Sequence, residues 1–157
     1  MASNNGTVYV DSTLNKDSEK LDKLVKESNH TIYSLASTFP FQLFPDRIII
    51  DENKITIARK ELFFKRVFSI LYNDILTIKV NRSFLFASIE FDVKRAREKP
   101  RPVVYLHPSE ASLAKKYIIG LVQAKKAGVD FSNLTTKEIR NKLEEIGAAE
   151  EEAENLF

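Results

Sequence analysis

Glu90 and Asp92 lie two residues apart in the run Phe84 to Val93, so a strand there points both carboxylates to one side. Carboxylates so placed can work as general acid and base, or as ligands for a hard cation. Lysine and arginine neighbours share that face, which predicts a solvated pair in place of a catalytic one. The other reactive residue types are sparser still. His30 and His107 stand far apart with no acidic or histidine partner at metal-ligand spacing, which argues against a zinc site or a histidine-based triad. There is no cysteine, so disulfides, thiolate ligands and a thiol nucleophile are excluded together. The four glycines fall at 6, 120, 128 and 147, leaving Thr7 to Ile119 without one. A phosphate-cradling loop needs glycine for close backbone approach, so Walker and Rossmann nucleotide sites are excluded from that stretch. No catalytic residue, metal or cofactor is therefore expected.

Basic side chains are the persistent signal. Lys94, Arg95, Arg97, Lys99 and Arg101 surround the single acid Glu98, and Arg59, Lys60, Lys65 and Arg66 cluster in an earlier hairpin. If the two groups share one rim, they are candidate anion-binding residues for the phosphates of lipid or nucleic acid. If they do not, they are solvated loops. The formal net charge of +2 conceals an asymmetry: residues 41–128 carry 17 basic and 9 acidic side chains, whereas residues 129–157 carry 3 and 8. Such a division favours an anionic partner for the central block, or a tail folded back over it. No recognised nucleic-acid motif accompanies the charge.

The elements that would position these residues read as one domain with appendages. Residues 1–38 form a polar leader with a short helix capped by Ser12 or Thr13 and running to Glu27, its thin apolar stripe being Leu21, Leu24 and Val25. Residues 39–128 form the domain, which from Phe39 to Leu106 changes to short runs of Ile, Val and Phe broken by polar turns, the all-β texture. The predicted strands are Phe41 to Phe44, Arg47 to Ile50, Ile55 and Ile57 with their neighbours, Leu62 to Ile70, Ile75 to Val80, Phe84 to Val93 and Val103 to Leu106. Asn53 suits the turn after the second of these because it tolerates a positive φ. In the sixth run Leu85, Ala87, Ile89, Phe91 and Val93 share one parity and must face the core. Phe84 and Phe86 take the other parity, which makes them candidate interaction residues unless a helix or a second subunit covers them.

Pro108-Ser109 opens an amphipathic helix that ends near Gly128, with Ala114, Tyr117, Ile118, Leu121 and Val122 on one face. In residues 129–157 a capping box, Thr135 with Glu138, and a staple, Leu134 with Ile139, start a further short helix. Gly147 is expected to stop it, leaving a mobile acidic tail. Met1 to Val10 has neither a basic leader nor an apolar stretch, and no run approaches the roughly 20 apolar residues that cross a bilayer. The expected location is cytoplasmic, with any membrane contact peripheral.

Three segments resemble bacterial pleckstrin-homology-like domains: Phe44-Pro-Asp-Arg-Ile-Ile-Ile, Ile55-Thr-Ile-Ala-Arg, and Phe68-Ser-Ile-Leu-Tyr-Asn-Asp-Ile-Leu-Thr-Ile-Lys-Val. The following Asn81-Arg-Ser-Phe-Leu-Phe-Ala-Ser-Ile-Glu-Phe is similar to their next strand. The resemblance covers roughly residues 40–127. It implies an α+β, mainly β fold: a bent antiparallel sheet or open barrel of six or seven strands capped by a C-terminal amphipathic helix. The early hairpin has Arg59-Lys60-Glu61 where a glycine is frequent in the family, and Ala87 stands at another such place. Members bind phosphoinositides, peptides or proteins and are not generally enzymes. Lys54, Arg59, Lys60, Lys65 and Arg66 do not reproduce the spacing of phosphoinositide-binding members, so headgroup recognition does not carry over. The expected function is a non-catalytic binding module, mediating first protein-protein interaction or self-assembly. Peripheral binding to anionic lipid through the basic loops is the alternative, followed by non-specific nucleic-acid binding.

Overall fold

Isoleucines 48, 50, 55 and 57 form the centre of the fold, every one fully buried. They alternate with polar or half-buried residues in β2 (Arg47–Asp51) and β3 (Lys54–Lys60), so one face of this hairpin is buried and apolar up to Arg59 at its end. The structure, a computed structural model, describes residues 31–94 and 98–156. The predicted helix ending at Glu27 lies outside the described residues.

Two antiparallel sheets share the core. The first has the order β1-β2-β3-β4, with β1 at Thr31–Ala36 and β4 at Lys65–Leu71. The second has the order β5-β6-β7, from Ile75–Arg82, Ala87–Val93 and Val103–Leu106. A single 3-10 turn, Tyr72–Asp74, leads from β4 to β5, and no ladder joins those two strands, so the sheets do not close into a barrel. Buried Tyr72 donates its hydroxyl to the carbonyls of Asp51 and Lys54, tying the turn to the tip of the β2–β3 hairpin. Burial raises the pKa of this phenol well above its ordinary value.

Several strand boundaries differ from those predicted. Thr31–Ala36, assigned above to the leader, is a paired strand. Its buried residues Ile32 and Leu35 are three apart because the register shifts between Thr31 and Tyr33, which removes the period-2 signal. Phe41 to Phe44 is a loop, Leu62 to Phe64 forms the β3–β4 turn, and Phe84 to Phe86 belongs to the β5–β6 turn. Asn53 keeps a negative φ and instead accepts a hydrogen bond at 2.8 Å from Lys125 Nζ.

The first helix, α1 (Pro108–Lys126), starts with proline at its first position and is followed by Gly128 at φ +69°, as its end signals required. Its buried face is Ala111, Ala114, Tyr117, Ile118, Leu121 and Ala124. Tyr117 meets Tyr33 of β1 edge to face, with ring centroids 5.2 Å apart.

The second helix, α2 (Thr136–Asn155), begins with the predicted capping box, both of whose hydrogen bonds are present. These bonds hold the Glu138 carboxyl below its ordinary pKa. Arg140 donates to the carbonyl of Ile32, anchoring the start of α2 to β1. The helix does not stop at Gly147 but continues through the acidic segment expected to be mobile. A Cβ on Gly147 would lie 2.3 Å from the Lys116 carbonyl oxygen, and one on Gly120 would lie 2.6 Å from that of Leu143. The two glycines thus permit backbone contact between α1 and α2 and are not terminators. Among the described residues no helix is long and apolar enough to cross a membrane.

Candidate functional site

Antiparallel order places the β1–β2 loop and the β3–β4 turn at one end of the first sheet, and the β2–β3 turn at the other. Lys125 of α1 reaches the β2–β3 end. The opposite end carries the loops.

Arg59 is the knot of that end. It is 7% exposed, and its Nε lies 3.6 Å from Asp46 Oδ2 in the β1–β2 loop. Its Nη2 donates to the carbonyl of Arg101 and, at 3.2 Å, to that of Pro102. Burial lowers its pKa from the ordinary value, and the Asp46 charge opposes that shift. One guanidinium therefore joins β3, the β1–β2 loop and the chain entering β7. This corrects the expectation of Arg59 as an anion ligand: its donors face carbonyls and a buried carboxylate, not solvent.

The two basic groups do approach each other at this point. Arg101 pairs with Glu61 at 3.2 Å, across the gap between the β6–β7 connection and the β3–β4 turn. Lys99 pairs with Asp92 at 3.0 Å, and that bond holds the Asp92 carboxyl below its ordinary pKa. Glu90 stands opposite Lys79 in the β5–β6 ladder, so each of the two acids has a lysine beside it. Lys94 is exposed at the end of β6. Arg95 and Arg97 lie outside the described residues. Lys60, Lys65 and Arg66 are exposed, and no acid among the described residues pairs with them.

Two features of the β3–β4 hairpin oppose its own stability. Its last cross-strand pairs are Arg59 with Arg66 and Lys60 with Lys65, and like charges directly opposite repel. Its turn, closed by a 2.7 Å hydrogen bond from Glu61 N to Phe64 O, is built from Leu62, Phe63 and Phe64 in place of glycine or asparagine. These three side chains are 69%, 83% and 68% exposed. The sequence reading missed them by absorbing them into a strand. The available signal was an apolar run without alternation, bracketed on both sides by two cations.

The β5–β6 turn repeats the arrangement, closed at 2.8 Å from Ser83 N to Phe86 O. Phe84 is 98% exposed at its tip, next to exposed Leu85. Phe86, predicted to share Phe84's surroundings, is separated from it. Its ring packs 4.6 Å from Phe41 and 5.6 Å from Tyr105, centroid to centroid. Tyr105 holds φ at 57°, a costly conformation for a residue with a Cβ. A shallow groove of about 400 Å³ beside this cluster is lined by Arg82, Phe86, Ala87, Val104 and Tyr105. The β1–β2 loop, with exposed Phe39, Phe41 and Leu43, meets strand β3 through Asp46 and Arg59 and the β5–β6 turn through Phe41 and Phe86. Compared with protein families, curated proteins and solved structures, the chain has no match in any of the three.

Proposed function

We propose that the chain is a non-catalytic binding module, on the pleckstrin-homology-like plan its sequence resembles, which docks peripherally on anionic membranes with its loop-bearing end. The observation that carries this reading is the exposed trio Lys60, Lys65 and Arg66, whose like-charge pairing costs the hairpin stability that an anionic surface would return. Each such cation near a membrane contributes about 1 kcal/mol, so the trio gives weak, salt-sensitive attraction. Cosedimentation with vesicles containing phosphatidylserine should exceed that with neutral phosphatidylcholine vesicles. Changing Lys60, Lys65 and Arg66 together to glutamine should weaken it about 100-fold at low salt. Equal pelleting with both vesicle types, or none with either, would remove the reading.

Fully exposed Phe84 beside the aromatic groove favours a second reading, contact with protein, including a second copy of the chain. Light scattering at high concentration should then show association that Phe84→Ser abolishes. A strictly monomeric mass, with no partner retained on the immobilised chain, counts against it.

A further inference from the structure

We infer that Leu62, Phe63 and Phe64 form a wedge that enters the boundary between headgroups and acyl chains of an anionic bilayer, a claim that rests on the membrane docking proposed above. Charge alone explains why the hairpin would approach a membrane, but not why its turn is apolar. Exposed side chains of this size carry no benefit in water. Any occupant of this tip must accept three large apolar groups at its point and cations immediately behind.

The strand geometry sets that spacing. Lys60 and Lys65 face each other across the hairpin just behind the turn. At about 3.4 Å per residue the backbone of Lys60 and Lys65 lies roughly 5–10 Å behind that of Phe63. Apolar side chains of interfacial elements reach about 5–10 Å into the headgroup and acyl boundary, so cations set back by that distance lie level with the phosphates. Long lysine and arginine stems suit this arrangement because they can lie along apolar surface while the charge stays in the polar layer.

The competing occupants fit less well. A second copy docked tip to tip would bring six exposed cations together. An uncharged protein groove would accept the rings but leave Lys60, Lys65 and Arg66 without counterions. An anionic bilayer satisfies both requirements. The β1–β2 loop, held beside the hairpin by the contact of Asp46 with Arg59, adds exposed Phe39 and Leu43 at the same end. Insertion therefore orients the domain with the β2–β3 turn and the Lys125 end of α1 away from the lipid.

The chain has no tryptophan, so Phe63→Trp supplies a unique fluorophore at the tip. On phosphatidylserine-containing vesicles its emission should move to shorter wavelength and be quenched by lipids brominated along the acyl chain. The variant Leu62→Ser/Phe63→Ser/Phe64→Ser, altered only at exposed positions, should keep its circular dichroism and still pellet with these vesicles at low salt. At about 0.15 M salt, where screening shortens to about 8 Å, it should partition about 100-fold more weakly than the parent. An indole that stays unshifted and unquenched while the protein pellets, or a triple variant that partitions like the parent, would overturn the wedge and leave charge-driven docking standing. No pelleting of the parent even at low salt would overturn both.

Discussion

Arg59→Met should lower the free energy of unfolding by about 3–5 kcal/mol, the usual consequence of removing one member of a buried ion pair. The loss has two sources. Asp46 stays buried without its cation, and the carbonyls of Arg101 and Pro102 lose their shared donor. Because the guanidinium bridges three chain segments, the effect should be global: the midpoint of urea unfolding falls while the slope is retained. The double variant Arg59→Met/Asp46→Leu should recover part of the loss, since a buried pair replaced by apolar groups is often tolerated. A direct role for Arg59 in anion binding predicts a different pattern, with weakened vesicle binding and unchanged stability. An unfolding midpoint within error of the parent would refute the structural role given to Arg59.

That buried arginine was within reach of the sequence. Ile55, Ile57 and Arg59 share one parity of β3, so alternation alone points all three at the core. What hid it was its neighbour Lys60, which made the pair look like one solvated patch. Apolar runs between polar turns located β2 and β5, alternation located β3 and the core side of β6, and end signals located α1 and the start of α2. Alternation failed at β1, where the register shift puts Ile32 and Leu35 at a helical spacing. It failed again at Leu62-Phe63-Phe64, since an unbroken apolar run reads the same whether it is buried in a strand or held out on a turn. Parity also grouped Phe84 with Phe86, although a closed turn at Ser83 rotates one into solvent and the other against Phe41. The common cause is that period-2 reasoning assumes an uninterrupted strand, and the candidate site consists of its interruptions.

For Gly147 the two accounts predict opposite signs. If this glycine lay in a free acidic tail, outside any packed contact, Gly147→Ala would be neutral or would raise stability by up to about 1 kcal/mol through better helix propensity. Buried in α2 against α1, it should instead destabilise. The added methyl would meet the Lys116 carbonyl oxygen at 2.3 Å and Lys116 Cα at 2.6 Å. Those are backbone atoms and cannot rotate aside, so the helices must separate. Separation loosens the burial of Ile139 and Leu143, the apolar residues by which α2 holds to the domain. Overpacking of this kind costs about 1–3 kcal/mol, enough to outweigh the propensity gain. Gly120→Ala meets the Leu143 carbonyl oxygen one helical turn away, so the double variant should lose more than either single one while falling short of their sum, because the first separation relieves part of the second clash. Calorimetry gives the sign, and hydrogen exchange along residues 136–155 gives the location. A rise in melting temperature for Gly147→Ala would return the segment to the free acidic tail that its composition suggests.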